Sequence, residues 1–263
     1  MSDLLRAGRM GERLTGIEVI DIHAHLGAIN FTIPDLSVAG MVAVMDRLGV
    51  ACSLVSHMAC MSPDDERGNR ELLVAAEAFP GRLLAYLSVW PFSREWVAQR
   101  ADYWLAQPGF VGIKLHNAIG FPYTHEAFEP LYAVAQERRL PVLLHTWGAE
   151  AEFTQIRTLA ERYPEAAFLL AHSGSNNEAT YVEIARDHPH VYLDTTLSMP
   201  RRGLLERLVE GAGADKVVWG SDIYFISQTQ QLGKVLGAKL TDEVKAQVLG
   251  GNARRILQRV RRG

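Results

Sequence analysis

His23 and His25 stand two residues apart in DIHAHLG, directly after the apolar run Ile17-Glu18-Val19-Ile20. In a strand, residues two apart share a face, so both imidazoles are expected on one side, with Asp21 one step deeper. Two neutral imidazoles at that spacing make half of a metal site. The pair alone is equally the polar end of an ordinary strand, because short motifs recur by chance. The rest of the chain decides between these readings.

The elements that must position the pair are countable. Eight apolar, β-branched runs recur: 18–25, 51–57, 83–90, 110–116, 141–145, 167–172, 190–195 and 216–222. They read as short, fully buried strands. Helical patterns lie between them, including LSVAGMVAVMDRLG, EAFEPLYAVAQERR, AEFTQIRTLAERYP and NEATYVEIARDHP. TDEVKAQVLGGNARRILQRV follows the last run, with Thr241 as its expected N-cap. Alternation without a linker predicts one parallel α/β domain over residues 1–263, with 1–16 as an N-terminal extension. Eight units predict a single closed (β/α)8 TIM barrel. The alternative, a doubly wound open sheet, is weakened because the first βα turn lacks GxGxxG.

In such a barrel function sits at the carboxyl ends of the strands. The polar residues fall there: His23 and His25, His57, Lys114 and His116, His145, His172, and Asp222 close successive runs. One such histidine is ordinary, but six at equivalent positions are not independent. Burying them costs several kcal/mol unless they pair or bind a cation. Imidazole and carboxylate are the ligands a divalent metal prefers.

The chain resembles the amidohydrolase superfamily of metal-dependent barrels, and most closely its amidohydrolase-related branch. That branch holds hydrolases and decarboxylases related to aminocarboxymuconate semialdehyde decarboxylase. The resemblance runs from DIHAHLG through GIKLH, LLHT, LLAHSG, YLDTT and WGSD to GNARRIL. It implies that His23, His25, His145 and Asp222 hold the principal metal, and that His172 is a further ligand or a catalytic acid/base. Lys114 stands where two-metal members carry a carbamylated lysine bridge. The implied cofactor is a divalent metal, zinc first and manganese second, with one ion expected and two as the alternative. The flanking β-sandwich of larger members is expected to be missing.

With these ligands a metal-acidified water is expected to attack an amide, ester or lactone, with Asp222 accepting its proton and His172 polarising the carbonyl. The alternative is a decarboxylase or hydratase of a carboxylated ring or unsaturated acid. A third class is a barrel that keeps its ligands for stability alone. Metal-dependent DNase barrels share the HxH start but place Glu where Lys114 stands, so that reading ranks low.

Outer contacts are weaker expectations. Arg67, Asn69 and Arg70 are read in a loop after strand two, and Arg201 and Arg202 after strand seven. Arg70 and Arg201 are candidates to fork a substrate carboxylate. His116, Trp147, Tyr224 and Phe225 are read as lining the pocket, Phe121 and Tyr123 as a short lid, and Asn252 as a cap of the last helix. His125 is read in a loop on the same side.

A net charge of −3 with dispersed Lys and Arg gives no nucleic-acid surface. No membrane span or signal peptide is read, so a cytoplasmic protein acting on a small molecule, with homo-oligomerisation open, is the expectation. Cys52 and Cys60 give no CxxC and no disulfide framework.

Overall fold

In the computed structural model, which describes residues 2–28, 32–33 and 35–261, the eight runs are eight parallel strands in sequence order. They are β1 Val19–Leu26, β2 Val50–His57, β3 Leu83–Leu87, β4 Phe110–Leu115, β5 Pro141–Leu144, β6 Ala167–Leu170, β7 Val191–Asp194 and β8 Val217–Val218. The helices are α1 Asp3–Met10, α2 Val38–Leu48, α3 Asp65–Ala78, α4 Arg94–Trp104, α5 Glu129–Arg138, α6 Glu150–Arg162, α7 Glu178–Asp187, α8 Leu204–Ala212, α9 Gln228–Gly237, α10 Asp242–Ala246 and α11 Asn252–Arg259. Strand and helix alternate as a (β/α)8 barrel.

The ring closes beyond the two residues of β8. Ile22 N–H donates to Trp219 O at 3.1 Å, Asp222 N–H to His23 O at 2.7 Å, and His25 N–H to Ile223 O at 2.7 Å. The seam between the first and last strands is thus made by the segment that carries Asp222.

Alternation sorts the core into two layers. Leu54, Tyr86, Leu143, Leu169 and Val218 belong to one buried cluster. Val55, Ala85, Val142, Leu170 and Val217 belong to a second, shared with the helices. Burial on both faces of a strand favours apolar residues away from the site, which is why the runs are continuous rather than alternating.

Strand β1 departs from simple parity. Ile20 and Ile22 join the cluster of Leu54 and Leu143. Asp21 instead accepts from Ser221 N–H at 2.9 Å and Gln228 Nε2 at 2.8 Å. The pairing with β2 shifts register between Asp21 and Ala24. A shift of one residue swaps faces. Asp21 is therefore not stacked beneath the two histidines, as the sequence suggested; it staples β1 to the segment after β8.

Two other local expectations change. Thr241 Oγ1 does accept from Val244 N–H at 3.4 Å, but Asn252 is not a cap. Its Nδ2 donates to Ala214 O at 2.7 Å and Val217 O at 2.6 Å, tying the last helix to β8. Residues 65–78 are helix α3 rather than loop, so Arg67, Asn69 and Arg70 stand on a helix. Among the described residues no helix is long and apolar enough to cross a membrane. Cys52 is a buried free thiol.

Candidate metal centre

At the carboxyl end of the strands, one ligand atom from each of His23, His25 and Asp222 lies within 4.8 Å of the others, all three buried. His25 Nε2 is 2.9 Å and His23 Nε2 3.5 Å from Asp222 Oδ1, and the two Nε2 atoms are 3.1 Å apart.

The outer ring nitrogens are already engaged. His23 Nδ1 meets Asp194 Oδ2 at 2.7 Å, and His25 Nδ1 meets Ser56 Oγ at 2.9 Å. Asp194 Oδ1 accepts from Thr196 N–H at 2.9 Å and Thr196 Oγ–H at 2.7 Å, so its other oxygen is left to take the His23 proton. This leaves the His23 Nε2 lone pair facing inward, as in carboxylate–histidine–metal arrangements. Burial, then the Lys114 charge, pushes the His23 pKa well down. Burial likewise lowers His25. Neutral imidazoles are the form that binds metal. Burial alone would raise the Asp222 pKa, but the hydrogen bond from His25, with the histidines clustered around it, prevails and holds it well below the carboxylate range. Two imidazole nitrogens and an ionised carboxylate fit a divalent cation.

Backbone geometry aims these groups. Asp222 and His172 both sit at left-handed φ, +59° and +57°. Non-glycine residues seldom occupy that region, and it recurs at functional sites. In the WGSD segment a Cβ at Gly220 would lie 2.6 Å from His23 Cβ and 2.7 Å from Asp194 Oδ1. Glycine there lets the backbone pass against the His23–Asp194 pair. At Gly27, φ is +86° and a Cβ would lie 2.5 Å from the His57 ring, which explains the glycine ending DIHAHLG.

Lys114 is buried, with Nζ 3.4 Å from His23 Nε2. His145 stands beside this group without joining its 4.8 Å set. Its ring stacks on His116 with centroids 3.6 Å apart, and its Nδ1 is 3.3 Å from His172 Nε2. His172 Nδ1–H donates to Thr196 O at 3.0 Å, so its Nε2 is the acceptor in the contact with His145. The His145 proton is then on Nδ1, and its Nε2 keeps the lone pair. Trp147, half exposed, stacks on His172 at 4.7 Å with the rings 7° from parallel.

Other sequence candidates lie elsewhere. His57 bonds Glu71 at 2.8 Å and accepts from Ala59 N–H, a structural role. His125 accepts from Ala127 N–H. Tyr224 donates to Ser37 O, against the start of α2, while Phe225 lies 5.0 Å from the His25 ring. Arg70 is exposed and pairs with Glu66 one turn away at 3.1 Å. Arg201 is exposed and lines a cavity between α8 and α9. Tyr123 is not a lid: it is buried and its hydroxyl donates to His145 O from behind. Phe121 packs edge-on against Trp90 at 5.8 Å. Asp194, Ser56 and Tyr123 orient the site, and sequence reading gave them no such role. Asp194 closes its strand run as the histidines close theirs, which was the available signal.

A family model described as amidohydrolase matches residues 20–259. The chain belongs to this amidohydrolase family. A search of curated protein sequences found no match. Among solved structures the chain is similar to an uncharacterised TIM-barrel protein from Bordetella bronchiseptica (TM-score 0.76, 16% identity, 92% of this chain and 99% of that one). It is similar to a 5-carboxyvanillate decarboxylase from Novosphingobium aromaticivorans complexed with manganese (0.75, 13%, 92% and 96%). It is also similar to a probable 2-pyrone-4,6-dicarboxylic acid hydrolase from Acinetobacter baumannii (0.68, 13%, 92% and 100%). At these identities the likeness is one of fold.

Proposed function

We propose that this member of the amidohydrolase family is a metal-dependent hydrolase of a small carbonyl compound, an amide, ester or lactone. The observation that carries the reading is the convergence of His23, His25 and Asp222 with the outer nitrogens of both histidines already bonded. His23, His25 and Asp222 would hold the ion, with His145 Nε2 as the fourth donor, and zinc suits three imidazoles and a carboxylate. The ion would supply Lewis acidity and a water acidified to a pKa of about 7.

The chain's own residues supply the rest. Asp222 Oδ, ionised and fixed at the barrel seam, accepts the proton released by the attacking water and returns it to the leaving group. His172 holds Nε2 toward the site with Nδ1 anchored on Thr196 O, so it moves a proton at one defined nitrogen. Lys114 places positive charge beside His23 and offsets negative charge gathering on substrate. Trp147 covers His172 from the solvent side.

A second reading is decarboxylation of a carboxylated ring. Trp147 gives it a specific support, because its half-exposed ring is a flat wall beside His172 against which a planar acid could lie. The structural neighbours include both decarboxylases and a hydrolase.

The test is elemental analysis followed by a screen of lactones, esters, amides and carboxylated aromatics with the products identified. Hydrolysis that needs the metal and falls at least ~100-fold in Asp222→Asn supports the first reading. Carbon dioxide release without hydrolysis selects the second.

A further inference from the structure

The loop after β5 carries Trp147, and side chains from three directions hold its backbone. Glu152, on the first turn of α6, accepts through Oε2 from the N–H groups of Trp147, Gly148 and Ala149 at 2.9, 2.9 and 3.0 Å. Its Oε1 accepts from Asn117 Nδ2, in the segment after β4. From the segment after β6, Asn176 Nδ2 donates to Trp147 O at 3.0 Å and Asn177 Nδ2 to Gly148 O at 2.7 Å. Ala149 O accepts from the N–H groups of Glu152 and Phe153. Every backbone N–H and C=O of residues 147–149 therefore has a partner.

A helix cap does not require this. In a capping box the carboxylate at the third helical position takes the N-cap N–H, here that of Ala149. The bonds to Trp147 and Gly148 lie upstream and serve the loop. Glu152 is 7% exposed, and these four donors are all uncharged. Burying a carboxylate is costly unless hydrogen bonds offset it, so the loop is held at some expense. Gly148 fits the same arrangement, with φ at +79° and room for no Cβ, which would lie 2.4 Å from Asn176 O.

The ring so held is one that packing does not hold. Trp147 is 50% exposed. It lies parallel to His172 and edge-on to His145, with centroids 4.7 and 5.1 Å away. A large apolar surface left in water but fixed beside a reactive centre is what a preorganised binding wall requires.

We propose that Glu152 is a positioning residue: through the backbone of 147–149 it holds Trp147 as a fixed wall at the mouth of the metal centre, and the wall selects substrates with a flat unsaturated group beside the reacting carbonyl. The inference rests on the metal-centre reading above. A ring stacked on such a wall gains about three- to tenfold in affinity over the same ligand without it.

Two hydroxamates test this on the zinc-loaded protein by isothermal titration calorimetry. Acetohydroxamate and benzohydroxamate chelate zinc through the same group, and only the second carries a ring. Wild type is compared with Trp147→Ala, Glu152→Ala and Glu152→Gln, each checked for folding by circular dichroism and for zinc content. Wild type is expected to prefer benzohydroxamate. That preference should fall at least about threefold in Trp147→Ala and in Glu152→Ala, with acetohydroxamate affinity and zinc content unchanged. Glu152→Gln should retain it, because the amide oxygen can take the three N–H groups while its NH2 faces Asn117, whose own amide turns to accept. If Glu152→Ala does not fold, Glu152→Asp, which draws the carboxylate back by one methylene, replaces it with the same expectation. An unchanged preference in Trp147→Ala or Glu152→Ala overturns the proposal. Equal loss of both hydroxamates, or loss of zinc, in Glu152→Ala makes Glu152 a residue of the fold and also overturns it. If zinc-loaded wild type binds neither hydroxamate, the metal-centre reading fails and the selectivity with it. The positioning is then decided by fluorine NMR of protein labelled with 5-fluorotryptophan, which needs no metal: the Trp147 line, assigned by its loss in Trp147→Phe, should move in Glu152→Ala, and an unmoved line overturns the role of Glu152.

Discussion

Asp194 grips His23 Nδ1 at 2.7 Å where neither side chain reaches solvent. This contact fixes which nitrogen His23 turns toward the centre. In Asp194→Asn the amide oxygen can serve Thr196, but the NH2 group then faces His23 Nδ1 and forces the proton to Nε2. Metal affinity should fall 10–100-fold with the fold retained. Competition against a chelator of known affinity checks this; unchanged affinity would show that Asp194 does not set the tautomer.

His172 should differ from His23 and His25 in kind. Its Nδ1 is anchored on a carbonyl and its Nε2 on His145, and it stands outside the 4.8 Å ligand group. His172→Ala is expected to keep the metal and lose at least ~100-fold in turnover. Metal loss equal to that of His25→Ala would make it a ligand instead.

Lys114 brings an ammonium to 3.4 Å from a metal-facing nitrogen. Like charge disfavours a cation there. One metal per chain is expected, with Lys114→Met binding it at least as tightly as wild type. Two metals in wild type and one or none in Lys114→Met, restored by short carboxylic acids, would instead establish a carbamate bridge.

Lys234 makes the stability of the protein depend on alkaline pH. Burial pushes its pKa down from 10.5 to about 8. A depressed folded-state value contributes stability that is present above 10.5 and lost as pH falls through about 8. The stability of wild type relative to Lys234→Met should therefore decline by up to about 3 kcal/mol between those limits and level off below. Urea unfolding across this range measures it; a pH-independent difference would mean Lys234 titrates normally when folded.

The strands were legible because burial on both faces writes itself as continuous apolar runs. Three of the five runs that close on histidine were read one or two residues too long, since His116, His145 and His172 lie past the end of their strands, whereas His25 and His57 lie within theirs. Helix α3 was not legible: its first half, DERGNRE, is charged enough to read as loop, although Asp65, Gly68 and Asn69 in that stretch are buried along with Leu72, Ala75 and Ala76. The inward pair His23 and His25 was found by spacing, but Asp21 was misplaced because a register shift leaves no trace in composition. Asp194 and Ser56 went unread because orienting a ligand needs no fixed spacing from it.

The seam of the barrel carries one further consequence, for how the protein is made. His23 and His25 come from the first strand and Asp222 from just past the last, and the backbone bonds joining those segments form only when both exist. During synthesis the chain offers two imidazoles long before the carboxylate emerges from the ribosome. A two-donor fragment holds ions weakly and loses them readily. A cation that needs all three donors would therefore be captured last, by a finished barrel.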